Sequence, residues 1–255
     1  MNWQEVKENW VLLPARPLAI IHFLGGAFVA AAPQTTYNRL LEFLAKQGYG
    51  IIATPFINTL DHRAIATEVE TKFERALASL QQQGRLKRFL PIYGLGHSMG
   101  CKLHLLMGSR SESNRAGNIF LSFNNFSADQ AIPLVQSLNL GSTLEFTPTP
   151  RETNRLIQQH YQVRRNLLIR FSNDEIDQTL QLQKILEERF PGLISLRQLP
   201  GSHLTPLGQD LNWQTGSSFS PLDAVGQWIR QEVFRELAQL EQVILQWLEP
   251  ATSFR

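Results

Sequence analysis

The chain has 255 residues, 43% hydrophobic and 18% charged, enough apolar side chain for one sizeable core and too much for a disordered tail, a coiled coil or a collagen-like rod. Lys and Arg number 24 against 22 Asp and Glu, and a net charge of +2 lacks the concentrated basic face that a nucleic-acid binder needs. A single cysteine excludes an internal disulfide and a cysteine-built zinc site.

The start of the chain, residues 1–8, has no basic stretch followed by an apolar one, so the expectation is a cytoplasmic protein without a secretory leader. No apolar run approaches the roughly 18 residues that span a bilayer, while peripheral contact with lipid stays compatible with the composition. A first strand is expected over 10–13, stopped by Pro14, and a second over 18–23, an unbroken apolar run suited to burial on both faces. Tyr37, Leu40, Leu41 and Leu44 then recur at helical spacing up to Gly48. A strand over 49–54 ends at Pro55, and Ile65, Val69, Phe73, Leu77 and Leu80 stripe a long helix ending near Gly84. Strands follow at 89–93, 119–123, 167–171 and 194–199, with a glycine-rich turn at 94–100, a helix from Cys101, and another carrying Ile176, Leu180 and Phe190. The last helix carries Leu222, Val225, Ile229, Val233, Leu237, Leu240, Ile244 and Trp247. Strands alternating with helices predict one α/β domain over 1–255, a mostly parallel central sheet with helices on both faces.

Residues 126–163 break this rhythm. An insertion there lies over the carboxyl ends of the strands, where open α/β sheets bind ligands, so a small cap is expected, with two ordinary connecting helices as the plainer alternative.

The sharpest local signal is Gly94-Leu95-Gly96-His97-Ser98-Met99-Gly100. Gly96-x-Ser98-x-Gly100, between a strand and a helix, fits a nucleophile elbow: a strained serine needs small neighbours two residues away on each side. The same glycines resemble a dinucleotide-binding turn, but that turn normally follows the first strand. Here the next strand also ends in Asn124 and Asn125 rather than an acid. An elbow serine needs a base and an acid in the order Ser, acid, His. His203, in the small-residue loop after the final strand, is the base expected, ahead of His160 on a helix. Asp174, in the polar turn after 167–171, is the first choice of acid, with Asp177 and Asp129 as alternatives. The Met99 N–H and one amide from the glycine turn after 18–23, assigned to Leu24, would hold an oxyanion. His22 is expected to brace that turn, and Cys101 to be a packed small side chain.

His22-Phe23-Leu24-Gly25-Gly26-Ala27-Phe28, the elbow and Phe171-Ser172-Asn173-Asp174-Glu175-Ile176-Asp177 together resemble the α/β-hydrolase superfamily and, within it, domain of unknown function 1350, a group from photosynthetic organisms. The resemblance covers essentially the whole chain and implies a doubly wound sheet and a Ser98–Asp174–His203 triad, without naming a substrate. Many hydrolases carry His-Gly where this chain has His-Phe-Leu-Gly-Gly, which leaves the oxyanion donor open.

The expected activity is hydrolysis of an ester or thioester with an apolar acyl or alcohol part, a small-molecule or lipid-like substrate, with no cofactor and no metal required. His97, Phe28 and Phe126 are the candidate substrate contacts, and Phe123 and Phe146 also favour an apolar mouth. Arg151, Arg155, Arg164 and Arg165 form a solvated face or draw an acidic group. The rival expectations are a non-catalytic binding protein on a hydrolase scaffold, and a cofactor-free peroxidase or lyase on the same triad.

Overall fold

The structure, a computed structural model, describes residues 1–27, 29–110, 114–128, 145–207 and 221–249, with side chains left out for 221–233. Its strands are β1 (Gln4–Val6), β2 (Asn9–Leu12), β3 (Ala19–Leu24), β4 (Tyr49–Ala53), β5 (Ile92–His97), β6 (Gly117–Leu121), β7 (Asn166–Phe171) and β8 (Ile194–Leu199). They form one sheet in the order β1-β2-β4-β3-β5-β6-β7-β8. β1 and β2 pair antiparallel, as do β2 and β4, and every pairing from β4 to β8 is parallel.

Apolar runs become central strands because helices cover both faces. Ile21 and Phe23 of β3 pack into a core with α2 (Asn38–Lys46) and α7 (Pro221–Leu248), through Leu40, Leu41, Leu44, Leu237, Leu240 and Ile244. Their neighbours Ile20 and Leu24 point the other way, towards α3 (His62–Gln82) and α4 (Met99–Gly108). The alternation of a strand is hidden inside a continuous hydrophobic run. A short helix, α1 (Pro33–Thr36), precedes α2, and α6 (Thr179–Arg189) connects β7 to β8.

Three regions stand out against the reading of the sequence. The strand expected at 89–93 starts at Ile92 and runs to His97, so Gly94 and Gly96 lie in β5 rather than in a turn; Pro91 has no N–H to give a ladder, and Phe89 is 96% exposed. The β1–β2 hairpin was not legible, because Lys7 and Glu8 take the left-handed turn positions (φ 49° and 62°) usually marked by Asn or Gly. Of the expected cap, residues 129–144 lie outside the described residues. The rest includes α5 (Pro150–His160), whose Ile157 packs with Tyr161, Val163, Cys101, Leu105 and Phe120 beside α4. That is the place of a connecting helix. Its start is fixed by a capping box between Thr149 and Glu152, so Thr-Pro-Thr-Pro opens a helix.

Lys102, on α4, is buried with its ammonium donating to the Pro148 carbonyl at 3.3 Å. Burial brings its pKa from 10.5 down to about 8, against a smaller upward pull from Glu145. The folded chain therefore binds fewer protons here than the unfolded chain between those values. This residue's cost to stability is full below pH 8 and is relieved as pH rises towards 10.5. Lys102→Met is expected to gain about 1–3 kcal/mol at pH 7 and to cancel that part of the rise, compared with wild type in urea melts from pH 7 to 10.5. An unchanged melt at pH 7 would show that the ammonium is fully compensated where it lies.

Candidate functional site

β5 delivers the chain to Ser98 at φ 54° and ψ −116°, and α4 begins at the next residue. These angles are strained for a serine and turn its side chain out of the strand at the carboxyl end of the sheet. The turn is tight enough that a Cβ on Gly96 would come within 2.6 Å of the Cys101 amide. The Met99 N–H belongs to the first turn of α4, whose amides have no acceptor within the helix.

Of the three acids weighed for the base, the structure brings Asp174 to His203. His203 Nδ1 donates to Asp174 Oδ2 at 2.8 Å, which leaves Nε2 with its lone pair. The Asp174 side chain is fully buried; burial pushes its carboxyl up, but hydrogen bonds from His203 and from the Ile176 N–H (3.1 Å) outweigh this and hold it below its usual range. Asp177 instead accepts from the Thr179 N–H and hydroxyl at the start of α6, and Asp129 lies outside the described residues. His160 is exposed at the end of α5.

Ser98, 8% exposed, accepts a hydrogen bond at 3.1 Å from Asn124 Nδ2. No Ser98–His203 hydrogen bond is formed among the described residues; such bonds are often long in ligand-free hydrolases and tighten on substrate. His203 nonetheless sits beside the elbow, its ring 4.9 Å from that of His97.

His97 is not placed to touch a substrate, which corrects that expectation. It is buried, and both ring nitrogens are occupied: Nε2 donates to the His203 carbonyl (2.9 Å), and Nδ1 accepts from the Tyr37 hydroxyl (2.7 Å). Tyr37 in turn accepts from the Gly26 N–H at 2.8 Å. Burial first, and then the nearby His203, bring the His97 pKa down to about 3, so it stays neutral. This chain ties the turn after β3, the elbow and the base loop together.

Leu24 is the buried last residue of β3, with its carbonyl against Gly100, and Gly26 is the residue that approaches the serine. A Cβ on Gly26 would lie 3.5 Å from the Ser98 Cβ. The Gly26 N–H itself is committed to Tyr37. Phe28 lies outside the described residues, and Phe126 is half-buried in the loop after β6. Phe123 and Phe146 are core residues, Phe146 stacked on His62 at 4.2 Å, so neither lines a mouth.

Other sequence candidates have structural places. His22 bonds Thr54 Oγ1 at 3.0 Å and Arg115 at 2.8 Å inside the α3 face. The Cys101 thiol is buried and donates to the Gly96 and Leu121 carbonyls. Arg165 stacks on Trp247, while Arg151, Arg155 and Arg164 are exposed. Among the described residues no three His, Cys, Asp or Glu side chains meet as metal ligands, and no helix is long and apolar enough to cross a membrane.

Sequence reasoning missed Tyr37 and Asn124. Tyr37 read as one more apolar stripe residue, although its hydroxyl needed a partner once buried. Asn124 follows β6, whose pairing sets Leu121 opposite His97 and so carries the next residues past Ser98.

The strand order, the elbow and the His–Asp pair define an α/β-hydrolase. Solved structures share the fold. FphF, a fluorophosphonate-binding serine hydrolase of Staphylococcus aureus, superposes with a TM-score of 0.54 at 14% identity, covering 90% of this chain and 91% of its own. TT1662 from Thermus thermophilus gives 0.52 at 18% identity over 81% and 93% of the two chains. The thioesterase domain from the curacin biosynthetic pathway gives 0.52 at 11% over 89% and 98%. No curated protein matches the sequence. The family model described as "Protein of unknown function (DUF1350)" matches residues 2–250, and the chain belongs to that family.

Proposed function

We propose that this protein is a serine hydrolase that cleaves a carboxylic ester or thioester through an acyl-enzyme. The observation that carries this reading is the strained Ser98 elbow beside a His203 held by Asp174. His203 Nε2 takes the proton of Ser98 as Oγ attacks the carbonyl carbon, and returns it to the departing alcohol or thiol. The Met99 N–H and an amide of the turn after Gly26 receive the oxyanion, and water releases the acid by the reverse proton route.

The proposed substrate carries an apolar group. Leu204, 65% exposed, adjoins the base, and Ile176 and Leu180 are exposed just beyond Asp174. Phe126 remains a candidate contact, and Phe28 rests on its sequence position alone. The named activities of the structural neighbours, serine hydrolase and thioesterase, agree with the reaction class.

The test is reaction with a fluorophosphonate probe, followed by mass spectrometry of the labelled peptide. One adduct on Ser98 is expected. A folded protein that takes no label, or is labelled elsewhere, would remove the hydrolase reading and favour a binding protein on this scaffold.

A further inference from the structure

The loop after β6 is built with unusual care for a surface connection. Ser98 N–H donates to the Leu121 carbonyl at 2.9 Å, so the end of β6 runs alongside the elbow. Ser122 then takes a left-handed conformation (φ 52°) while its N–H donates to Ile169, which bends the chain sharply without leaving the sheet. Beyond the bend the backbone is pinned: the Phe123 carbonyl accepts from the Gln178 N–H (2.7 Å), and the Asn125 N–H donates to Gln178 Oε1 (2.7 Å). The Asn125 side chain is tied to the Pro150 carbonyl (3.0 Å) and to Asn154 (3.2 Å). Asn124 lies between these fixed residues, and its amide meets the reacting oxygen itself.

Resting on the hydrolase reading, we propose that Asn124 is a catalytic residue that stabilises Ser98 Oγ while it is without its proton. A serine oxygen has one proton and two lone pairs. One lone pair accepts from Asn124; on the proposed mechanism His203 takes the proton, and the second lone pair attacks. As the proton passes to Nε2, negative charge builds on Oγ and the Asn124 N–H bond becomes charge-assisted, which strengthens it in the transition state relative to the resting state. When the Oγ–carbonyl bond forms and the bond to the leaving group breaks, Oγ becomes an ester oxygen and a poor acceptor. The same amide receives Oγ again when water displaces it. This donor is separate from those of the oxyanion hole, which bind the carbonyl oxygen.

The test compares wild type, Asn124→Ala and Asn124→Asp for the rate and final stoichiometry of fluorophosphonate labelling, and for kcat and KM on a short p-nitrophenyl ester. Asn124→Ala is expected to slow labelling and kcat by about 10- to 100-fold with KM within about threefold and full final stoichiometry, the scale of one hydrogen bond to a charged group. Asn124→Asp, of the same shape, loses the donor and adds a like charge, and is expected to be slower still. A purely structural asparagine would instead lower stoichiometry and melting temperature while the folded fraction reacts at the wild-type rate. Wild-type or faster labelling by either folded variant overturns the proposal and leaves the hydrolase reading standing. A wild-type protein that takes no label overturns both.

Discussion

Alanine at Ser98 is expected to lower kcat for ester hydrolysis by about a millionfold, His203→Ala by a similar factor, and the double variant by no more than either alone. The three results follow from one geometry. A base with no hydroxyl to deprotonate contributes nothing, and a hydroxyl with no base stays a weak nucleophile. Asp174→Asn is expected to fall less far, by about ten thousandfold. An asparagine amide presents an N–H to His203 Nδ1, so the ring proton moves to Nε2 and faces Ser98, where a lone pair is needed. KM should change little, since Asp174 is buried behind the histidine rather than in the cleft. Steady-state kinetics on folded variants decides the matter. An Asp174→Asn enzyme within tenfold of wild type would mean that Asp174 does not set the tautomer of the base.

Gly100→Ala is expected to be among the most damaging methyl groups that can be added to this chain. Its Cβ would come within 2.6 Å of the Leu24 carbonyl carbon, closer still to its oxygen, and within 2.9 Å of the Gly25 oxygen. Those atoms are backbone and cannot rotate aside, so either α4 lifts from the elbow or the turn after β3 is pushed away. The expected loss is about 4 kcal/mol or more in urea unfolding, with slowed fluorophosphonate labelling in whatever folds. Gly84→Ala is the comparison: nothing lies within 4 Å of its Cβ, but its φ of +70° is strained for alanine, so about 1 kcal/mol is expected. Equal melts for wild type and Gly100→Ala would show that the helix start is not jammed against this turn.

The two substitutions also mark what could be read along the chain. Apolar runs at 18–23 and 167–171 gave strands at nearly the right places because burial on both faces leaves few polar residues, here His22 and Arg170, to blur them. The elbow was legible because steric demand falls on fixed neighbours: Gly96 and Gly100 are two residues from the serine wherever the fold puts it. His203 and Asp174 could be proposed only from their positions after strands. Leu24, His97, Tyr37 and Asn124 show where such reading stops. Leu24 and His97 flank the right features, yet the direction of an amide or ring depends on what packs against it. Asn124 reaches Ser98 from 26 residues away, across a strand pairing that leaves no periodic trace. Thr149 carried a capping signal that the adjoining prolines obscured.

The Gly26–Tyr37–His97–His203 chain has a further consequence for how this scaffold can change. Its middle is set in the core, and its two ends hold the turn facing the serine and the loop bearing His203. Ser98 and His203 are thus tied to one buried support. Exposed residues such as Leu180 and Leu204 take no part in those links, so their exchange leaves the support in place. Change at the exposed positions and preservation of the buried links thus fall to different residues.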